Sequence, residues 1–160
     1  MDYIEISKIK EFTAQLFAGN AFDEYLLSEV LISTAATFTI DGHVNESFVG
    51  EDGMKSAQYR EGLVPWQKIR PVCYEIIKGR KVPSRFRIVL KCPEQILDQF
   101  LTTTGTQGMK EQIGGLFINI NYQDQKLSCT TGTALKTFSL DKSLEGLWDE
   151  YAKKLLAQYV

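Results

Sequence analysis

Two spacings of hydrophobic residues alternate along this chain. Apolar residues fall at every second position from Arg85 to Cys92, and this period predicts a strand with one buried face. The stretch Leu26–Ile40 is rich in β-branched residues and lacks glycine and proline, which predicts two strands with a bend near Ala35–Ala36. Asp41-Gly42 predicts a hairpin into a further strand at Asn45–Phe48. Further strands are predicted at 2–6, 116–122, 126–131 and 133–138, with a turn at Gln123–Gln125.

Helical spacing of apolar residues fills the segments between these strands. It predicts four helices, over residues 8–18, 66–78, 94–101 and 142–155. The second carries a stripe from Trp66 to Ile77, and the fourth a stripe from Leu144 through Trp148 to Leu155.

The predicted elements occur in the same order in both halves of the chain. Each half reads as strand, helix, three strands, helix, which predicts one domain, 1–160, built from two pseudo-repeats at 1–79 and 84–160. Trp66 and Trp148 occupy equivalent places in this alignment. The predicted fold class is α+β: a duplicated βαβββα unit whose antiparallel sheet has helices packed on one face. This layout resembles the saddle of the TATA-box-binding-protein fold, a likeness of topology that implies no activity.

Composition places the chain among ordinary soluble proteins. Hydrophobic residues make up 44% and charged residues 24% of its 160 residues. The three cysteines stand far apart in apolar runs, so we expect buried thiols rather than disulfides or a metal site. No signal peptide or membrane-spanning run is apparent, and a cytoplasmic location is expected.

Charge is distributed unevenly. Residues 1–54 carry ten acids and two lysines, whereas residues 55–91 carry ten basic residues and two acids. Either the acidic third neutralises the basic middle, or the basic segment presents a positive surface to an anion.

Three segments carry a resemblance to a known family. They are Phe38–Asn45, Trp66–Arg80 and Phe86–Leu90. They resemble an uncharacterised family of Firmicutes proteins, mostly clostridial, which implies a bacterial, cytoplasmic, single-domain protein. No activity is assigned to that family, so the resemblance transfers no functional residue.

The predicted strand face opposite the core holds the candidate binding residues. Arg85, Arg87 and Lys91 share that face, and an aromatic ring and two amides on a neighbouring strand should lie beside them. An anionic partner such as nucleic acid is one interpretation, and pairing of the arginines with Glu5 or Glu29 is the other. The candidate binding residues are Arg85, Arg87, Lys91, Phe117, Asn119 and Asn121.

The first function hypothesis is a non-enzymatic binding or scaffold module that uses this open sheet face, and two alternative functions stay open. One is an enzyme with a carboxylate or His43 site in the 41–52 loop, which requires a concave pocket there. The other is a homodimer that buries the sheet face. The sequence predicts no cofactor, no metal site and no catalytic residue, because no motif of sufficient specificity is present.

Overall fold

The computed structural model describes residues 2–160, which form six strands, five α-helices and two short 3₁₀ turns. The strands are β1 (Tyr3–Ile6), β2 (Leu26–Ser33), β3 (Thr37–Asp41), β4 (Arg85–Lys91), β5 (Ile113–Gln123) and β6 (Lys126–Leu135). The helices are α1 (Ile9–Phe17), α2 (Glu46–Met54), α3 (Trp66–Ile77), α4 (Glu94–Thr104) and α5 (Ser143–Leu156), and the 3₁₀ turns span Gln107–Gln112 and Ala157–Tyr159.

All six strands belong to one antiparallel sheet in the order β1-β6-β5-β4-β2-β3. The register aligns apolar side chains of one face into rows that cross the sheet. One such row is Val30, Ile88, Ile120, Cys129 and Ile4, and each of these residues is buried. The helices supply the other half of this core, so the α+β class and the apolar, helix-covered sheet face are confirmed.

Two fully buried tryptophans join the helices to their surroundings. The indole Nε1 of Trp66 in α3 donates to the carbonyl of Leu16 in α1, at 2.9 Å. The indole of Trp148 in α5 donates to the carbonyl of Phe117 in β5, at 3.0 Å. The indole of Trp66 therefore joins two helices, whereas the indole of Trp148 joins a helix to the sheet. The two tryptophans differ in this respect although they occupy equivalent positions in the predicted repeats.

The predicted hairpin at Asp41-Gly42 is wrong. The chain reverses earlier, at residues 34–36, where the bend between β2 and β3 was expected. Gly42 donates its N–H to the carbonyl of Ser28 at 2.9 Å, and a Cβ at Gly42 would lie 1.8 Å from the carbonyl oxygen of Leu27. The glycine therefore permits a close approach to β2 rather than a turn.

The predicted third strand of each half is also absent from residues 2–160. Asn45–Phe48 does not form a strand, because α2 begins at Glu46. In the second half, the two segments predicted at 126–131 and 133–138 form the single strand β6. The turn predicted at Gln123–Gln125 is confirmed at Asp124 and Gln125, which both have positive φ, 53° and 63°, as in a type I′ hairpin, while Gln123 is the last residue of β5.

The internal duplication stays a prediction. Both halves keep the order strand, helix, two strands, helix, with α2 inserted in the first half. Their places in the sheet differ, since β4 lies between strands of both halves while β1 lies at the edge beside β6. Within residues 2–160, no helix combines the length and the apolar character that crossing a membrane requires.

Candidate binding surface on the open sheet face

The sheet face opposite the helices is formed mainly by polar side chains. On β4 the side chains that alternate with the buried ones run from Arg85 to Lys91, and their neighbours on β5 run from Phe117 to Gln123. We call this surface the open face. Arg87 lies opposite Asn121, and Lys91 lies opposite Phe117. The structure places all six predicted residues on it: Arg85, Arg87, Lys91, Phe117, Asn119 and Asn121.

The two arginines of the open face differ in their electrostatic environment. Arg87 donates to the carboxylate of Glu29 on β2, with an Nη2–Oε1 distance of 2.6 Å and both side chains about half exposed. Arg85 is exposed and has no acidic partner within 4.0 Å among residues 2–160. Glu5 lies on β1, three strands away from β4. Pairing therefore accounts for Arg87 and leaves the charge of Arg85 uncompensated.

A depression of about 320 Å³ on the open face is lined by both arginines. Arg85 and Arg87 supply its N–H donors from β4, and Asn121 and Gln123 supply amides from β5. Its other lining residues are Leu31, Phe86 and Tyr122. Paired guanidinium groups flanked by amides are suited to a phosphate or carboxylate group.

Gln123 also belongs to this site, although it is not among the six residues predicted from the sequence. It was assigned to the turn, but β5 extends through it and pairs it with Arg85. The signal was present in the alternation of Phe117, Asn119 and Asn121, which continues to Gln123 with the same period of two.

The opposite end of β4 has compensated charge. A cavity of about 330 Å³ beside Lys91 is also lined by Lys110 and Lys136, together with three glutamates. Lys110 contacts Asp98 at 2.8 Å and Glu94 at 3.1 Å, and these hydrogen bonds raise the pKa of its ammonium group. Positive charge is therefore balanced near Lys91 and unbalanced near Arg85.

His43 forms an exposed contact with Asp41. Its Nδ1 lies 2.6 Å from Oδ1 of Asp41, with the two side chains 71% and 77% exposed. Hydrogen bonds from the backbone and the ring of His43 lower the pKa of the Asp41 carboxyl group. Neither residue lines the two cavities beside β4, and among residues 2–160 no group of three His, Cys, Asp or Glu side chains is placed to hold a metal. The contact is therefore exposed to solvent, and the hypothesis of an enzyme site in the 41–52 loop stays a prediction.

The three cysteines are part of the core, as expected. All are buried and unbridged, and desolvation raises the pKa of each thiol to about 12. A thiol with so high a pKa is a poor nucleophile at neutral pH. They are Cys73, Cys92 and Cys129.

Comparison with known families identifies a match over most of the chain. The sequence model of a family of unknown function, DUF5721, matches residues 15–160. The chain belongs to this family. The expected membership in an uncharacterised family is thereby confirmed, and all six candidate residues lie within the matched segment. Searches of curated proteins and of solved structures each gave no significant match, so the clostridial origin and the likeness to the TATA-box-binding-protein fold stay predictions.

Proposed function

We propose that this DUF5721 protein is a non-enzymatic binding module whose open face holds an anionic macromolecule. The observation that supports the proposal is the uncompensated guanidinium group of Arg85. It lies beside Arg87 in a depression bordered by two amides, on the sheet face opposite the helices. Two cationic donors with adjacent amides match the oxygen atoms of a phosphate group in both charge and hydrogen bonding.

Single-stranded nucleic acid is the anion that best fits the rest of the face. Phe117 lies next to Lys91, six residues along β4 from Arg85, a distance of about 20 Å in a strand. An exposed sheet that combines basic side chains, an aromatic ring and amides can bind phosphates and stack a base. The face therefore spans roughly three nucleotides, with phosphates at the Arg85 end and stacking at Phe117.

Fluorescence polarisation with labelled single-stranded oligonucleotides at several salt concentrations tests this proposal. Replacement of both Arg85 and Arg87 by glutamate should abolish association. The single variant Arg85→Gln should weaken binding about fivefold and reduce the slope of log affinity against log salt by about one. Lys68→Gln on α3 is the matched control, because it removes the same charge from the helix layer.

Thermal unfolding separates a binding role from a structural one. Arg85→Gln should leave the melting temperature unchanged, since no acidic side chain among residues 2–160 pairs with Arg85. Loss of the exposed Arg87–Glu29 pair should cost less than about 1 kcal/mol. The proposal fails if wild-type protein binds no polyanion, or if Lys68→Gln weakens binding as much as Arg85→Gln.

A further inference from the structure

The two edges of the sheet differ in how many of their outward-facing backbone N–H groups are hydrogen-bonded. The edge strands are β1 and β3. An edge strand directs every second backbone N–H and C=O away from the sheet, and folded proteins usually cover, charge or shorten such edges. The hydrogen-bond pattern identifies which groups those are on each edge.

On β1 two of the three outward-facing N–H groups are occupied. The pairing of Asp2 with Thr131 directs the backbone of Ile4 and Ile6 towards β6 and that of Tyr3, Glu5 and Ser7 outward. The N–H of Tyr3 donates to the side chain of Asp2 at 2.9 Å, and the N–H of Ser7 donates to the carbonyl of Tyr159 at 3.2 Å. The N–H of Glu5 and the carbonyl groups of Tyr3 and Glu5 have no hydrogen-bond partner among residues 2–160, and the charged side chain of Glu5 lies beside them.

On β3 the outward-facing groups are unoccupied. Gly42 donates to Ser28, and Thr34 donates to Ala36, so hydrogen-bonded pairs with β2 recur at Ile40 and Phe38 between them. The backbone of the alternate residues Thr37, Thr39 and Asp41 therefore points away from β2. Among residues 2–160, the three N–H and three C=O groups of these residues have no hydrogen-bond partner.

The edge of β3 also lacks the usual features that prevent pairing. It contains no lysine, no proline and no bulge, and its only charge is Asp41 at the end. Phe38, which is 40% exposed, and the partly buried Ile40 lie on its helix-side face. The exposed edge of β3 can therefore form backbone hydrogen bonds with a further strand.

We propose that β3 pairs antiparallel with β3 of a second copy of this chain, about a two-fold axis through Thr39. In this register Thr39 lies opposite its symmetry mate and Thr37 lies opposite Asp41 of the other copy. All six outward groups of each copy are then paired, and the two sheets join into one of twelve strands.

The side chains are complementary in the same register. On the helix side, Phe38 of each copy lies opposite Ile40 of the other, which buries an aromatic–aliphatic pair twice. On the open face, Ser33 Oγ and Thr37 Oγ1 are 3.0 Å apart, so Thr37 can accept from Ser33 and donate to the Asp41 carboxylate opposite it. No like charges face each other at any of the five positions.

Charge favours a second copy as the occupant. The Thr37 end of β3 lies near Arg85, which pairs with Ser33, and near Lys81, which lines a cavity with the 34–35 turn. The other end carries Asp41 and leads into Glu46 at the start of α2. An antiparallel two-fold places the basic end of one copy beside the acidic end of the other.

Sedimentation of the pure protein at low and high micromolar concentration tests self-association. Wild-type protein should shift from monomer to dimer as concentration rises. Thr39→Lys and Thr39→Pro should weaken the dimer about tenfold or more, and the proline variant keeps the β2–β3 ladder because the N–H of Thr39 points away from β2. Glu5→Lys, on the opposite edge, is the matched control and should leave the dimer intact.

Disulfide trapping tests the register. The two-fold brings the Thr39 Cα atoms of the copies to about 5.5 Å, within disulfide range, whereas the Thr37 Cα atoms are separated by about 13 Å along the strand. Thr39→Cys should form a covalent dimer under mild oxidation and Thr37→Cys should not, while the three native thiols are buried and stay reduced. Equal trapping of both variants overturns the register.

Other outcomes overturn the proposal as a whole. A wild-type protein that stays monomeric at high micromolar concentration shows that β3 does not pair with a second copy. A dimer that survives both Thr39 variants, but dissociates on Arg85→Glu with Arg87→Glu, shows that the sheet face rather than its edge is the contact. The oligonucleotide assay is independent of this result, so the two proposals fail separately.

Discussion

Removal of Asp23 should destabilise the protein by about 2–3 kcal/mol, although Asp23 lies in a loop before β2. Its carboxylate accepts two hydrogen bonds from Arg70 of α3, at 2.8 Å from Nε and 3.0 Å from Nη2. The side chains are only 13% and 19% exposed, so Asp23→Ala leaves a mostly buried guanidinium group without a partner. Breaking a fully buried pair costs roughly 3–5 kcal/mol, and the residual exposure of Arg70 reduces that range.

Urea unfolding followed by tryptophan fluorescence measures this effect directly. Trp66 and Trp148 are both fully buried, and Trp66 lies one helical turn from Arg70 in α3. For an m-value of about 2 kcal/mol/M, Asp23→Ala should lower the midpoint by about 1–1.5 M urea without changing m. Lys55→Ala is the control, since its contact with Glu51 is 3.8 Å long and exposed, and it should change stability by less than about 0.5 kcal/mol.

A double-mutant cycle separates the ion pair from the packing of the two side chains. Arg70→Met combined with Asp23→Ala should be more stable than Asp23→Ala alone, because the unpaired buried charge has been removed. If Asp23→Ala lowers the free energy of unfolding by less than about 0.5 kcal/mol, or if the two changes are additive, the interaction does not have the role that its geometry indicates.

Two further predictions concern the core. Gly42→Ala should lower the free energy of unfolding by at least about 3 kcal/mol in the same urea assay, because its Cβ would lie 1.8 Å from the Leu27 carbonyl oxygen. A Cβ added at Gly108 would have no atom within 4 Å, so Gly108→Ala should change the free energy of unfolding by less than about 0.5 kcal/mol. Equal effects of the two substitutions would contradict the steric explanation for Gly42. A thiol reagent should label no cysteine of the native protein at neutral pH and all three in urea, because the thiols are buried and their pKa values are raised to about 12. Rapid labelling of the native protein would show that part of the core opens readily.

The period of the hydrophobic pattern predicted most elements because it reports burial within one segment. The alternation from Arg85 to Lys91 assigned each side chain of β4 to its observed face. The errors occurred where a long-range contact decides the local structure. Asp41-Gly42 matches a hairpin signal, but the glycine is required by the approach to β2, a contact that local spacing does not encode.

The same reasoning explains what could be predicted of the open face. Its six residues were found because a period of two fixes the side of the sheet on which each lies. Pairing of the arginines with Glu5 or Glu29 was one interpretation of the sequence, but the contact between Arg87 and Glu29 joins residues 58 positions apart, so choosing between the two acids required the strand order. The unpaired edge of β3 depends on that order as well, because a strand is an edge only by its place in the sheet.

Charge compensation and binding are not exclusive explanations of the basic segment, because its arginines divide between them. Arg70 and Arg87 pair with acids of the first third of the chain, and Arg60 contacts Glu94 of α4 at 3.6 Å. Arg80 and Arg85 have no acidic partner among residues 2–160. The two arginines without an acidic partner therefore lie at the start of β4 and in the turn before it, and Arg85 lines the depression on the open face. If a ligand binds through this charge, substitution of Arg85 should lower its affinity and substitution of Arg60 should leave it unchanged. The guanidinium group of Arg60 lies at the opposite end of the sheet, beside α4.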